Sequence, residues 1–221
     1  MYLRYLSREF LIKTLLCIFA IFIIGIGVGI MRFVDLGIDP FMCLVNGLNL
    51  TISKYININF GTTFIIFNFL VLILIFIFGR SYIGLGTVLV MLFGGYFSDF
   101  GLFLCRLFLT AEMIYFIFRI GIMIFGIIFI AIGSGIYFNT NIGVSAYDAS
   151  GLIITDKINN QNLYRFVRIA TDIICVLGGF FMGNRPGIGT IIMAFFTGPL
   201  FSFFRSRFLV WGKKQKIITW Q

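Results

Sequence analysis

Between Lys13 and Arg32 lie eighteen residues, Thr14–Met31, without a single charge. An α-helix rises 1.5 Å per residue, so with a turn added at either end this run crosses the ~30 Å apolar core of a bilayer. Five further long runs follow. Thr62–Gly79 is interrupted only by Asn68, and Gly84–Cys105 holds Asp99. Ile120–Phe138, Leu163–Gly183 (the weakest, with Arg165, Arg168 and Asp172) and Gly187–Phe204 complete the set. With 60% hydrophobic and 11% charged residues in 221, a soluble domain has no interior large enough to hide them. The sequence therefore predicts an all-α polytopic membrane protein. Arg4, Arg8 and Lys13 ahead of the first run imitate a secretion signal, but no small-x-small cleavage site follows. The run is read as a retained span.

A formal net charge of +9 would raise nucleic acid as a partner in a soluble protein. Here the basic residues gather at the two ends and between apolar runs, the pattern of membrane-flanking charge, so nucleic acid is excluded and the bilayer is the expected partner. The tail holds Arg205, Arg207, Lys213, Lys214 and Lys216, with Trp211 and Trp220 as interface anchors, and both termini are placed in the cytoplasm. Cys17, Cys43, Cys105 and Cys175 stand alone, and the chain has no histidine, so no metal or cofactor is expected. The thiols read as small, inert, buried side chains.

Two short polar stretches break the apolar pattern, and they match. Leu36-Gly37-Ile38-Asp39-Pro40-Phe41 opens a short helix over Asp39–Ser53, which carries Asn46 and Asn49. Counting on 106 residues gives Ile142-Gly143-Val144-Ser145-Ala146-Tyr147-Asp148, opening a second one from Gly143 to about Asp156. Asp39 can cap its helix with Pro40 at the first helical position, where a missing N–H costs nothing. Ser145-x-x-Asp148 is a capping box. The match continues along the chain. Gly27 and Gly29 pair with Gly133 and Gly135 at the same spacing, Asn68 with Asp172 and Gly79 with Gly183 at 104, and Gly84-Leu85-Gly86-Thr87 with Gly187-Ile188-Gly189-Thr190 at 103. Ordered matches with small slips confined to loops predict an internal duplication. The expected parts are a basic cytoplasmic N-terminus (1–13), repeat 1 (14–110), repeat 2 (111–204) and a basic cytoplasmic tail (205–221).

The short helices decide the topology. If they are re-entrant, each half has three crossings, the halves are inverted, and six long transmembrane helices result. If they cross, there are eight and the halves run parallel. Basic residues in the loops mildly favour eight, because six spans leave Arg32, Lys54, Arg106, Arg119 and Arg185 outside. Length favours six, since about 14 helical residues cover only about 21 Å.

The candidate substrate-binding residues are Asp39, Asn46, Asn68, Ser145, Asp148 and Asp172. Asp39 and Asp148 serve as helix caps in the plainer reading. At membrane depth and lining a cavity they would instead bind a cation or proton, while the helix start would favour an anionic group. Asn68 and Asp172 occupy equivalent mid-span positions, as interhelical glue or as site residues, and Arg168 stands four residues before Asp172, at ion-pair spacing. Asp99 reads as interface solvation, and Arg32, Arg80 and Arg185 as arginines that snorkel to headgroups. Gly37, Pro40 and Gly143 read as turn positions. Gly84, Gly86 and Thr87, with Gly187, Gly189 and Thr190, read as small-residue faces that let two helix starts pack on each other. No Lys follows either Gly-x-Gly-Thr, which excludes a P-loop. With no histidine, G-x-S-x-G, H-E-x-x-H or paired catalytic carboxylates, no enzymatic activity is expected.

Gly25-x-Gly27-x-Gly29, Leu36-Gly37-Ile38-Asp39-Pro40, Asn46-Gly47-Leu48 and above all Arg185-Pro186-Gly187-Ile188-Gly189-Thr190 resemble the YczE/YitT group of bacterial integral membrane proteins, nearer its YczE side. The resemblance covers about residues 20 to 204. It departs at Phe41, where the group's pattern has Trp after the proline. It implies a bacterial inner-membrane, multi-pass protein and says little about mechanism. Repeats of this kind build many transporter folds around a site at their interface, so the expected function is transport of a small solute. Two alternatives stay open: a non-transporting accessory or regulatory membrane protein, and the solute-binding membrane subunit of a larger uptake complex. Either would bring a partner subunit, and a homo-oligomer is equally compatible with the small-residue faces.

Overall fold

The structure, a computed structural model, describes residues 8–109, 115–158 and 164–215, and every regular element in them is helical. The joints expected over Arg106–Glu112 and Asp156–Gln161 fall partly outside the described residues, as do Lys216 and Trp220. In chain order the helices are α1 (Arg8–Val34), α2 (Pro40–Ile52), α3 (Phe60–Gly79), a short 3-10 turn (Arg80–Tyr82), α4 (Leu85–Phe108), α5 (Phe116–Thr140), α6 (Ala146–Ile158), α7 (Tyr164–Phe181) and α8 (Ile188–Gln215).

Four of the described helices are long and apolar enough to cross a membrane: α1, α3 with its 3-10 extension, α4 and α5. The other two expected spans differ in character. α7 has 18 residues and includes Arg165, Arg168 and Asp172. α8 does not stop at Phe204. It continues to Gln215, 28 residues in all, so the expected tail begins as helix. Arg and Lys are good helix formers, and nothing in Arg205–Trp211 breaks the backbone, so the end of an apolar run is not the end of a helix.

α1 is the central helix, and its small residues set its neighbours. Gly25 lies on Phe97, and Gly29 on Gly101 and Leu102, so α1 and α4 run parallel. Gly133 lies on Ala20 and Ile24 while Gly126 lies on Ile30 and Met31, so α1 and α5 run antiparallel. At Gly29 an added Cβ would sit 2.5 Å from the Leu102 backbone nitrogen, closer than real contacts allow. Buried Cys17, Ala20 and Ile21 of α1 pack with Ile136 and Tyr137 of α5 at one end, and Val28, Met31 and Val34 pack with Met123 and Ile127 at the other.

The two Gly-x-Gly-Thr helix starts do not pack on each other. Each seats the glycine turn of the opposite half. The Leu36 carbonyl accepts the Gly189 N–H at 2.7 Å, and the Ile142 carbonyl accepts the Gly86 N–H at 2.9 Å. Gly37 (φ +106°) and Gly143 (φ +132°) take backbone conformations that L side chains rarely adopt, which turns these carbonyls toward their seats. The Thr87 hydroxyl closes one seat by donating to the Val144 carbonyl at 2.6 Å while accepting the Gly84 N–H at 3.1 Å. Thr190 accepts the Gly187 N–H at 3.4 Å in the other. The short helices also cross between halves. Gly47 of α2 lies on Gly179 and Met182 at the end of α7, and Ile75 and Gly79 of α3 pack on Ile153 of α6.

Candidate functional site

α2 and α6 begin at one place. Asp39 caps α2, its carboxylate accepting the N–H groups of Phe41 (3.1 Å) and Met42 (3.3 Å), with Pro40 at the first helical position. Ser145 opens α6, its hydroxyl accepting the Asp148 N–H at 3.1 Å and donating to the Asp148 carboxylate at 2.6 Å. Two residues past these caps, the rings of Phe41 and Tyr147 stack with centroids 4.7 Å apart and planes 23° apart. Phe41 also rests on Phe64 and Phe67, one to two turns inside α3. The two helix starts therefore meet well below the start of that helix.

α7 brings charge to this point. The Arg168 guanidinium lies 4.2 Å from the centre of the Tyr147 ring. Its Nη1 pairs with Asp148 at 2.6 Å, and its Nε lies 3.6 Å from Asp172, one helical turn along. The Tyr147 hydroxyl donates to the same Asp172 oxygen. Two carboxylates thus share one guanidinium, a grouping that survives in a low-dielectric interior only when its charges are paired. A cleft of about 190 Å³ opens beside them, lined by Phe41, Phe67, Val71, Tyr147, Thr171 and Cys175 among others. Its walls are mostly apolar, and Tyr147, Ser150 and Thr171 are the hydroxyl-bearing residues among them. Among the described residues no group of three or more carboxylate or cysteine side chains is arranged to hold a metal ion.

Sequence comparison places the chain. A family model described as a family of unknown function, DUF6198, matches residues 11–206. The chain belongs to the DUF6198 family. It is also similar to the uncharacterized membrane protein YczE of Bacillus subtilis (strain 168), with 26% identity over 168 residues, 76% of this chain and 73% of that protein. No solved structure matches. The YczE-type resemblance carried by the glycine and Arg-Pro-Gly motifs is thereby shown, and with it a membrane protein.

Of the six candidate residues in this DUF6198 chain, the structure groups Asp39, Ser145, Asp148 and Asp172. Asn46 and Asn68 lie apart from them. Asn46 donates to Asn184 at 2.8 Å and lines a small recess with Arg32, Asp35 and Arg185. Asn68 is buried, and its amide donates back to the Phe64 carbonyl of its own helix at 2.9 Å. Arg32 does not snorkel. It pairs with Asp99 at 2.8 Å and lies 3.9 Å from the Phe60 ring, while Asp99 also accepts the Gly61 N–H at 2.7 Å. Asp99 is therefore a clamp across α1, α3 and α4 rather than a solvated interface residue. Sequence reasoning passed over Tyr147. In a chain so rich in aromatics the one available signal was its register, 106 residues after Phe41.

Proposed function

We propose that this chain is a transporter of a small solute, bound where the starts of α2 and α6 meet α7 between two inverted repeats. The observation that carries the reading is the head-to-head meeting of two polar helix starts around Phe41 and Tyr147, with a charge cluster and a cleft beside it. Broken or short helices that end at membrane depth are how many transporters place a polar site inside a bilayer.

Support for the repeats comes from the crosswise seats, in which Leu36 meets Gly189 just as Ile142 meets Gly86. Support for inversion comes from helix direction. In an eight-crossing path that alternates at every helix, α1 and α4 would be opposed and α1 and α5 aligned. The glycine contacts run the other way. Six crossings with α2 and α6 re-entrant fit these directions, and an even number puts both basic termini on the cytoplasmic side of a bacterial inner membrane. In this reading the chain is not an enzyme and its surroundings are lipid.

The test is uptake by proteoliposomes containing the purified protein alone, screened across solute classes, with Asp39→Asn and Asp172→Asn beside wild type. The expected result is flux of one class that is lost in Asp172→Asn. Absence of flux for every class, together with a partner that co-purifies in fixed ratio, would replace the transporter by a subunit of a larger assembly.

A further inference from the structure

α2 packs on α3 and α7, and α6 packs on the same two helices. Beside the meeting point of α2 and α6, the cleft of about 190 Å³ takes its walls from all four helices. Phe41 comes from α2, Phe67 and Val71 from α3, Ser150 from α6, and Ile174 and Cys175 from α7. Phe67 and Val71 are the eighth and twelfth of the 20 residues of α3, so the cleft lies about 10 Å or more from either end of that span. Thr171 and Cys175 hold the eighth and twelfth places of the 18 in α7. The mouth faces sideways. Ile174 in its wall is 66% exposed, and Leu70 and Leu74, one turn on from Phe67 and Val71, are exposed as well. In a membrane protein that direction and depth lead to the middle of the bilayer, about 15 Å below either layer of headgroups.

The walls keep no strong donor for a polar ligand. The Tyr147 hydroxyl donates to Asp172, that of Ser150 to the Tyr147 carbonyl at 2.6 Å and that of Thr171 to the Arg168 carbonyl at 2.8 Å. The Cys175 thiol is a weak donor. Arg168 pairs with Asp148 and Asp172, and none of the three lines the cleft. Water therefore finds too few partners to fill it, and an empty cleft would forfeit the contacts its walls can make. Hydrocarbon is the medium at its mouth. A dissolved amphiphile would have to carry its polar head toward the midplane to place a tail here, which is costly. A phospholipid keeps its head at the interface and has only the end of a chain at this depth.

We propose that the cleft is a binding site for the end of an acyl chain of a bilayer phospholipid, entering sideways between α3 and α7. A dry cavity of about 150 Å³ takes benzene, so this one has room for roughly the last six carbons of the chain. The chain end packs on Phe41 and Cys175 and completes the wall around the two helix starts on their lipid side. This inference rests on the membrane location and not on transport, so it stands or falls apart from the transporter reading.

The experiment is photolabelling of the full chain in lipid nanodiscs, with adducts located by mass spectrometry. One phosphatidylethanolamine carries a diazirine at the end of an acyl chain, and a second carries it beside the ester. Decanol with a terminal diazirine is the third probe. The chain-end lipid is expected to label Phe41 or Cys175, both buried in the cleft wall, and the ester-proximal lipid to label neither. Ser150→Leu and Val71→Phe fill the cleft from different helices, so either one that folds serves. Each is expected to abolish those adducts while the exposed Phe69 and Ile73 of α3 are labelled as in wild type. Phe41 and Cys175 both unlabelled by the chain-end lipid, equal labelling in a folded filled variant, or labelling by the ester-proximal lipid would each overturn the proposal. Adducts at Phe41 or Cys175 from decanol alone would also overturn it and make the occupant a dissolved amphiphile.

Discussion

The starts of α2 and α6 are equivalent in register and opposite in what they do with a carboxylate. At α2 the acid is the cap itself. Asp39 turns inward on its own backbone, with Pro40 fixing the first turn. At α6 the cap is a serine and the acid comes three residues later, so Ser145 closes the helix while Asp148 is free to reach Arg168 on α7. The partners differ in the same sense. α3, opposite α6, carries Asn68 bonded to its own helix, whereas α7, opposite α2, carries Arg168 and Asp172. One helix start spends its acid on holding the turn, and the other spends it on pairing charge across helices.

That contrast can be broken most severely at Arg168. Arg168→Ala leaves two carboxylates without their cation and is expected to cost about 3–5 kcal/mol, read as unfolding of the purified protein in detergent. The double variant Arg168→Ala/Asp148→Ala is expected to recover part of this loss, and no recovery would show that Arg168 acts by packing rather than charge. Next come the seats, which should respond alike on both sides. A methyl at Gly84 would run into the Ile142 carbonyl and one at Gly187 into the Leu36 carbonyl. Gly84→Ala and Gly187→Ala are each expected to cost about 3 kcal/mol, and a large inequality between them would argue against equivalent seats. Smaller and unequal effects are expected at the helix starts. Asp148→Asn half-unpairs Arg168 and should cost about 2 kcal/mol. Asp39→Asn keeps a good capping residue and should cost only a few tenths, about 0.5 kcal/mol at most. Equal losses at the two positions would erase the contrast drawn between them.

Helix positions were legible because the signals were local. Long apolar runs gave α1, α3, α4 and α5, Asp39-Pro40 marked the start of α2 within a residue, and the helix expected from Gly143 begins at Ala146, directly after the Ser145 cap. The end of α8 was not legible, because hydropathy changes at Arg205 while backbone preference does not. The site was half legible. Asp39, Asp148 and Asp172 stood out as ionisable groups among apolar neighbours, and the Arg168 to Asp172 spacing announced a pair. What the sequence could not express was distance across the fold. Arg168 reaches Asp148 from twenty positions away, Tyr147 stacks on Phe41 across the halves, and Arg32 finds Asp99 rather than a headgroup. Asn46 and Asn68 were polar for local reasons that only their partners reveal.

The crosswise seats have a consequence for how the chain is made. When the ribosome has delivered α4, the N–H of Gly86 and the hydroxyl of Thr87 still await Ile142 and Val144, and the carbonyl of Leu36 waits longer, for Gly189 at the start of the last helix. The first half therefore cannot mature before the second arrives. Expressed as two separate polypeptides, the halves should persist in the membrane only when made together, each protecting the other from degradation.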